Sequence, residues 1–220
     1  MLFKQYLTTR NFTKVNHIRN IKYIVIHYTA NDGDTDEGNS SYFHGTYRGA
    51  SAHYFIDEDS STQVVLDNDI SWHCGDTQKY TNGGAQYKSI CTNLNSIGIE
   101  MCSDKNNGVY YISDKTVANT ITVVKALMKK YGIDSAHVIR HYDVTGKICP
   151  QPFVANVNLW NYFKSKLIKG DDTITTKVST YAKESWNKAI AKKVLDGTSP
   201  QGNVTREQLA VILDRLKMLD

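Results

Sequence analysis

The sequence predicts an α/β domain whose helices pack on a central mixed β-sheet, followed by a small helical module. Two observations carry this prediction. Short apolar runs rich in β-branched residues, which are typical of strands, alternate within residues 1–170 with amphipathic segments of helical period. Residues 171–180 are polar and threonine-rich, so they predict a linker to a separate helical segment over residues 181–220.

The bulk composition is that of a globular protein. The chain has 220 residues, of which 40% are hydrophobic and 22% are charged. This length is enough for one substantial domain and a small appendage, which agrees with a larger domain over residues 1–170.

The first part of the larger domain is predicted to contain strands joined by loops. Residues 21–28 are almost continuously apolar, as in a central strand. Residues 51–57 and 62–66 are predicted to be paired strands joined by an acidic turn. Residues 31–49 are polar and glycine-rich, which indicates a long loop with a short helix near residues 42–44.

Residues 96–102 form the next predicted strand, and this strand carries a carboxylate. Side chains alternate between the two faces of a strand, so Ile97, Ile99 and Met101 share one face while Glu100 lies on the other. Glu100 either lies on the exposed face of an edge strand or faces a cleft. In a cleft, burial would raise the pKa of Glu100 toward a value suited to a general base.

The remaining elements of the larger domain are two helices and one short strand. Ser113 is predicted to cap a helix over residues 114–131, which ends at Gly132. Residues 137–141 predict a short strand, and residues 158–169 predict the second helix.

The segment over residues 181–220 is predicted to form two short helices. The first carries Trp186 and Ile190, and the second begins with a capping box at Thr205. The apolar stripe of the second helix comprises Leu209, Ile212, Leu213, Leu216 and Leu219. So short a segment rarely buries enough apolar area alone. The stripe must therefore pack on the larger domain, on a ligand or on a second copy, and the polar linker leads us to expect self-association.

The segment over residues 140–150 concentrates reactive side chains in a loop punctuated by glycine and proline. It contains His141, Asp143, Lys147 and Cys149. Imidazole and thiolate are ligands that zinc takes, and such a turn can bring both toward one point. The loop therefore predicts part of a metal site.

His27, at the end of the first predicted strand, is the best candidate for a third ligand. Three protein ligands and a water are the catalytic arrangement of zinc, whereas structural sites usually close with four. Other interpretations stay open at this point. Cys149 could be an inert buried side chain and His141 a hydrogen-bonded loop residue, or Cys149 could be a nucleophile with His141 as its base.

Charge, hydropathy and cysteine content indicate which partners the protein has and where it is made. The net charge is +4, but no basic stripe with interleaved aromatic residues is present, so we do not expect a nucleic-acid partner. No apolar stretch is long enough to span a bilayer, and we expect no membrane partner. The 4 cysteines form no C-x-x-C pair, and residues 1–10 lack the features of a signal peptide. These features predict a protein made in a reducing cytoplasm.

Five motifs in order give the chain a family resemblance. It resembles the zinc-dependent N-acetylmuramoyl-L-alanine amidases of the type 2 family, which is related to phage-lysozyme-type amidases and peptidoglycan-recognition proteins. The resemblance covers residues 20–155. The motifs are His27-Tyr28-Thr29-Ala30, Ser51-Ala52-His53-Tyr54-Phe55-Ile56-Asp57, Trp72-His73-Cys74-Gly75, Asn95-Ser96-Ile97-Gly98-Ile99-Glu100, and His141 with Lys147-Ile148-Cys149-Pro150.

The resemblance implies a role for each matched residue. It implies that His27, His141 and Cys149 bind Zn²⁺, which disfavours the thiol nucleophile. It implies that Glu100 transfers protons and that Lys147 stabilises the oxyanion.

A further set of matched positions, His53, Tyr54 and His73, is expected to contact substrate. For His53 the alternative is a supporting position behind the metal ligands, and for His73 it is a structural hydrogen bond. Some members of the wider superfamily carry a tyrosine where this chain has His53 and lack the strand glutamate, so we assign proton transfer to Glu100.

The implied fold is that of the peptidoglycan-recognition proteins. The implied activity is hydrolysis of the amide bond between N-acetylmuramic acid and L-alanine in peptidoglycan. The alternatives are a non-catalytic peptidoglycan-binding module of the same fold and a cysteine hydrolase.

Residues 181–220 resemble small helical modules of lysins and surface-layer-like proteins, which implies wall attachment or homo-oligomerisation. Without a signal peptide, the chain resembles a phage or prophage endolysin that acts on the wall after release.

Overall fold

The computed structural model describes residues 1–168, 182–192, 194, 209, 212–214 and 218. The chain divides into two compact units, Met1–Ile168 and Lys169–Asp220. Among the described residues, no helix has both the length and the apolar character needed to cross a bilayer.

The first unit is built on a mixed sheet. Its strands are β1 (Leu2–Gln5), β2 (Tyr23–Tyr28), β3 (Tyr54–Ile56), β4 (Ser60–Gln63), β5 (Ser96–Met101), β6 (Asp104–Asn106), β7 (Val109–Tyr111) and β8 (Val138–Arg140). In the described part of the chain, six of them form the sheet in the order β1-β4-β3-β5-β2-β8. Neighbouring strands are parallel except β3 and β4, and β6 pairs with β7 in a separate hairpin.

Helices connect and cover these strands. In chain order they are α1 (Asp36–His44), α2 (Asp114–Tyr131), α3 (His141–Thr145), α4 (Gln151–Ala155), α5 (Val157–Ile168) and α6 (Lys183–Ala191), with short 3₁₀ turns at Asn93–Asn95 and Ser135–His137. The predicted α/β class, with helices around a central mixed sheet, is confirmed.

The alternation of side chains along β2 and β5 separates the apolar core from the candidate site. One face of the sheet packs against α2 and α5, and its core includes Ile24, Ile26, Ile97, Ile99, Val124, Leu127 and Phe163. Val25 belongs to a second cluster on the opposite face. His27 and Glu100 have the same parity as that opposite face, so both project away from α2 and α5.

Most predicted strands and the first long helix are confirmed. Residues 21–28 and 96–102 contain β2 and β5, and residues 51–57 contain β3. The antiparallel partner expected over residues 62–66 is β4, which begins earlier and spans Ser60–Gln63. The hydroxyl of Ser113 accepts from the backbone N–H of Thr116 at the start of α2, and Gly132 ends the helix at φ 65°. The second predicted helix is confirmed as α5.

Two predictions needed correction, and several elements were missed. The loop over residues 31–49 contains the nine-residue helix α1, which is longer than the helix expected near residues 42–44. His141 begins α3 instead of ending a strand, because β8 stops at Arg140. Strand β1 and the β6–β7 hairpin were not predicted.

In the second unit, α6 contains Trp186 and Ile190, as predicted for the first C-terminal helix. The linker over residues 171–180 lies outside the described residues, as does most of the second predicted helix. The three-region organisation therefore stays a prediction.

Candidate metal centre and active site

Three separate parts of the chain bring His27, His141 and Cys149 together. His27 lies near the end of β2, His141 is the first residue of α3, and Cys149 lies in the loop that follows α3. Strand β8 lies beside β2 in parallel register, with Ile26 opposite Arg140, so α3 begins next to His27. One ligand atom from each of the three buried side chains lies within 4.8 Å of the other two.

Short-range hydrogen bonds hold α3 and its loop in place. The Asp143 carboxylate accepts from the backbone N–H of Arg140 at 2.8 Å and from the Arg140 guanidinium at 2.8 and 3.1 Å. Because Asp143 accepts from both the backbone and the side chain of Arg140, it fixes the start of α3 and therefore His141. Gly146 ends the helix at φ 82°, and the backbone N–H of Tyr142 donates to the Cys149 carbonyl at 2.8 Å. The loop thus returns Cys149 to the neighbourhood of His141.

The donor set fits a zinc ion. Cys149 Sγ lies 3.8 Å from His27 Nδ1. With Zn–N of about 2.0–2.1 Å and Zn–S of about 2.3 Å, a tetrahedral zinc separates such N and S ligands by about 3.6 Å. Both ring nitrogens of His141 are buried without a hydrogen-bond partner among the described residues. Because a buried polar atom is costly when unsatisfied, one of these nitrogens fits a role as a metal ligand.

The contact between His27 and His73 determines which nitrogen of His27 faces the cluster. His27 Nε2 lies 3.1 Å from His73 Nδ1, which leaves His27 Nδ1 facing Cys149. Burial, with His141, His73 and Lys147 nearby, lowers the pKa of His27 well below its ordinary value. The ring is therefore neutral, which is the form that binds a metal. Burial raises the pKa of the Cys149 thiol, so this site needs a cation to hold the thiolate.

Glu100 lies directly beside the ligand cluster. It is the register partner of His27 across β5 and β2, and its Oε1 lies 4.0 Å from His27 Nδ1. The side chain is 20% exposed, and Oε2 is buried with no hydrogen-bond partner among the described residues. Burial raises the pKa of Glu100 to about 8, against the lowering effect of Lys147. A carboxyl group with a pKa near neutrality can both accept and donate a proton.

An open cleft of about 400 Å³ gives access to these groups. Its lining includes His27, Tyr28, Phe43, Phe55, Trp72, His73, Asp76, Asn93, Glu100, His141, Lys147, Ile148 and Cys149. Lys147 is exposed and is the cation of this lining, two residues from Cys149. The cleft therefore combines a metal-ligand set, a carboxyl group of raised pKa and an ammonium group.

Two of the three expected substrate contacts are corrected by the structure. His53 is fully buried, and its Nδ1 accepts from the backbone N–H of Gly98 at 3.0 Å. Tyr54 is 5% exposed, and its hydroxyl donates to the Asp67 carboxylate within the protein. Neither side chain lines the cleft. Both face partners inside the fold, so we no longer assign them substrate contacts.

His73 does line the cleft, but only 8% of it is exposed. Its two ring nitrogens lie 3.1 Å from His27 Nε2 and 3.1 Å from Ser96 Oγ. The sequence left two roles open for His73, a substrate contact and a structural hydrogen bond. In the structure, both ring nitrogens lie within hydrogen-bond distance of groups inside the protein.

Asp76 and Tyr28 were not singled out from the sequence. Asp76 Oδ2 lies 3.2 Å from His141 Nε2, although the pair does not meet the geometry of a hydrogen bond. The pKa of Asp76 is lowered by His141 beside it. Burial raises the pKa of Tyr28 to about 12. Asp76 directly follows the Trp72-His73-Cys74-Gly75 motif, and this position could have marked it in the sequence as a residue near the site.

Comparison with protein families gives one match over most of the first unit. Residues 17–152 match the family model described as N-acetylmuramoyl-L-alanine amidase. This match covers all three residues of the ligand cluster, together with Glu100 and Lys147.

Individual relatives agree with that match. The amidase CwlL of Bacillus licheniformis is 31% identical over 204 residues, which cover 86% of this chain and 55% of CwlL. The chain thus spans little more than half the length of this relative.

Two solved structures agree with the fold. The catalytic domain of PlyG is similar with a TM-score of 0.62 and 29% identity, covering 78% of this chain and 96% of that domain. A mutant endolysin from Bacillus subtilis is similar with a TM-score of 0.58 and 28% identity, covering 76% of this chain and 99% of that one.

Proposed function

Because this chain belongs to the N-acetylmuramoyl-L-alanine amidase family, we propose that it is a zinc-dependent hydrolase of peptidoglycan. The bond cut would be the amide between N-acetylmuramic acid and L-alanine. The observation that carries the proposal is the cluster of His27, His141 and Cys149 beside Glu100 in an open cleft.

The three clustered side chains would hold the zinc ion. When bound, zinc acts as a Lewis acid and lowers the pKa of a water ligand to about 7, which suits attack on a poorly electrophilic amide. The imidazoles of His27 and His141 and the Cys149 thiolate would be its ligands. Burial keeps His27 neutral by lowering its pKa, and the second ring nitrogen of His27 contacts His73.

Glu100 is proposed to move the proton. Its carboxyl group lies beside His27 and lines the same open cleft, which supports this role. With a pKa raised by burial, the group can take a proton from the attacking water and deliver it to the L-alanine nitrogen. Without that proton the amine would leave as a high-energy anion.

Lys147 is proposed to stabilise the negative charge that develops on the substrate carbonyl oxygen. The side chain lines the same cleft as Glu100 and Cys149. A cation that faces the cleft favours the charged transition state over the neutral amide.

The other two interpretations predict different behaviour. A thiol nucleophile needs a thiolate, whereas burial raises the pKa of Cys149 in the absence of a cation. A binding module has no use for a proton-transfer group of raised pKa next to a metal site. Both observations support the amidase.

Purified cell walls provide the test. The protein should lower wall turbidity and release new amino groups on L-alanine, a chelator should stop both, and added zinc should restore them. Activity that survives complete zinc removal but is lost on thiol alkylation would support the cysteine hydrolase. Sedimentation with walls without release of amino groups would support the binding module.

We further propose that the protein is a phage or prophage endolysin made in the cytoplasm. A catalytic domain over residues 1–170 would be joined by a linker over 171–180 to a module over 181–220. This module would attach to the wall or self-associate, and its Trp186 and Ile190 lie one turn apart on α6. Linked copies would raise retention on a repetitive wall.

Truncation after Thr180 tests the role of the module. The full-length protein should exceed the monomer mass in light scattering at micromolar concentration, and the truncated protein should not. A monomeric full-length protein would contradict self-association, and unchanged wall binding after truncation would contradict wall attachment.

A further inference from the structure

A continuous series of buried hydrogen bonds runs from His27 into the protein. His27 Nε2 lies 3.1 Å from His73 Nδ1, and His73 Nε2 lies 3.1 Å from Ser96 Oγ. The Ser96 hydroxyl donates to the Thr92 carbonyl at 2.6 Å. His27, His73 and Ser96 are all buried, so these groups depend on one another for partners.

The last acceptor in the series determines where each proton lies. The Thr92 carbonyl can only accept, so Ser96 uses its single proton there and offers His73 a lone pair. His73 therefore donates from Nε2 and keeps a lone pair on Nδ1. His27 then donates from Nε2, and its Nδ1 carries the lone pair that faces Cys149.

We propose that His73 is a positioning residue that fixes the tautomer and ring orientation of His27 for metal binding. This inference rests on the proposed zinc site but not on the identity of the bond that is cut. Both nitrogens of His73 are engaged inside the protein, so it acts through His27 and not on substrate.

Gly98 explains how the His73 ring reaches its place. A Cβ atom at this position of β5 would lie 2.4 Å from His73 Cγ, closer than any real contact. The ring therefore packs on bare backbone, and no other residue type fits without displacing it. His53 contributes on the other side, since its Nδ1 accepts from the Gly98 N–H at 3.0 Å.

The backbone of His73 is anchored independently of its ring. Asn93 Oδ1 accepts from the backbone N–H of His73 at 3.1 Å and from that of Cys74 at 2.8 Å. A substitution of the His73 side chain should therefore leave the backbone conformation of this loop unchanged. Any effect on zinc binding can then be assigned to the loss of the imidazole ring.

Zinc affinity is the first readout, measured by competition with a chromophoric chelator. His73→Phe keeps a flat ring on Gly98 but has no acceptor, and it should weaken zinc binding by about 10–100-fold. His73→Asn places an oxygen near the position of Nδ1 and should recover much of the loss. His17→Phe, at an exposed histidine, is the matched control and should bind zinc like the unmodified protein.

A double-mutant cycle separates the ring contact from general damage to β5. Gly98→Ala should weaken zinc binding when His73 is present, because the new methyl group displaces the ring. In a His73→Ala background the same change meets no ring, so it should have little further effect on affinity. Equal losses in both backgrounds would mean that Gly98 acts on the strand and would overturn this part of the inference.

The tautomer of His27 in the metal-free protein is the second readout, from ¹⁵N NMR of the imidazole nitrogens. The proton should reside on Nε2 in the unmodified protein and should distribute over both nitrogens in His73→Phe. Zinc affinity within about twofold of the unmodified protein in His73→Phe, with an unchanged His27 tautomer, would refute the positioning role; that limit lies well below the expected 10–100-fold loss. Neither readout requires amidase activity. Failure of the positioning role can therefore be distinguished from failure of the proposed reaction.

Discussion

Glu100→Gln separates proton transfer from metal binding more cleanly than other substitutions in the cleft. Glutamine has nearly the same size and shape as glutamate, so the packing of β5 beside β2 should be retained. Its amide cannot take a proton from water and pass it to a leaving nitrogen. The carboxyl group lies beside the ligand set, with Oε1 4.0 Å from His27 Nδ1, but it is not one of the clustered ligands.

The expected loss follows from the role of the group. General acid–base catalysis typically contributes about 10²–10⁴-fold in rate, which corresponds to roughly 3–5 kcal/mol of activation free energy. Zinc content should stay at one ion per chain, because His27, His141 and Cys149 are unchanged. The thermal unfolding midpoint should not fall, because the substitution removes a carboxylate whose ionisation is opposed by burial.

The assay is the initial rate of amino-group release from purified walls, with zinc content and unfolding midpoint measured on the same samples. Glu58→Gln is the matched control, since Glu58 is a 48% exposed glutamate that pairs with Lys115 away from the cleft. A Glu100→Gln variant that binds zinc and keeps a rate within about fivefold of the unmodified protein would refute the assigned proton transfer, because the expected loss is about 10²-fold or more.

Three further substitutions test other parts of the account. Cys149→Ala should lose the metal, since two imidazoles form a poor site, and full zinc content by elemental analysis would contradict the ligand assignment. Lys147→Ala should keep zinc but lose about 10²–10³-fold in rate, and an unchanged rate would exclude its electrostatic role. Asp67→Asn should destabilise the fold by roughly 1.5–3 kcal/mol near pH 7 by weakening charged hydrogen bonds, including that from Lys130 at 2.8 Å. Although burial opposes ionisation, hydrogen bonds from Lys130, Tyr54 and Tyr131 lower the pKa of Asp67. The stabilisation is therefore complete above the unfolded pKa of about 3.9 and is lost as pH falls through the lower folded pKa, so the unfolding midpoints of the two proteins should converge as the pH is lowered through that range.

The elements that could be predicted from the sequence are those whose local pattern agrees with their tertiary setting. Strands β2 and β5 are buried between layers, so they appear as apolar runs. Helix α2 carries a start signal at Ser113 and a stop signal at Gly132. Side chains alternate between the two faces of β5, so Glu100 was predicted to lie on the face opposite Ile97 and Ile99. In the structure this is also the face on which His27 lies.

Tertiary contacts account for the elements that were missed. Helix α1 is largely polar, and it is held by Asp36, which accepts from Ser60 and Thr62 on β4. Strand β1 is an edge strand whose Leu2 and Phe3 are more than half exposed, so it lacks an alternating pattern. Neither feature is visible in a local window of sequence.

The sequence indicated the residue types of the site, but it did not indicate which side chains contact one another. The residue types at positions 27, 141 and 149 indicated zinc, but their meeting depends on β8 lying beside β2, which no local pattern predicts. His53 was expected near substrate and instead supports the backbone of Gly98. His73 and Asp76 lie between β4 and β5, where the chain has little regular structure and no period places a side chain.

The most direct test of the proposed reaction is mass spectrometry of the products from a defined muramyl peptide incubated with the zinc-loaded protein. The account predicts two products: an intact N-acetylmuramic acid with a free lactyl carboxyl group, and a peptide that begins with a free L-alanine amine. Both should be absent when zinc is removed. Cleavage at any other bond, or the same products at an unchanged rate in zinc-free protein, would contradict the account.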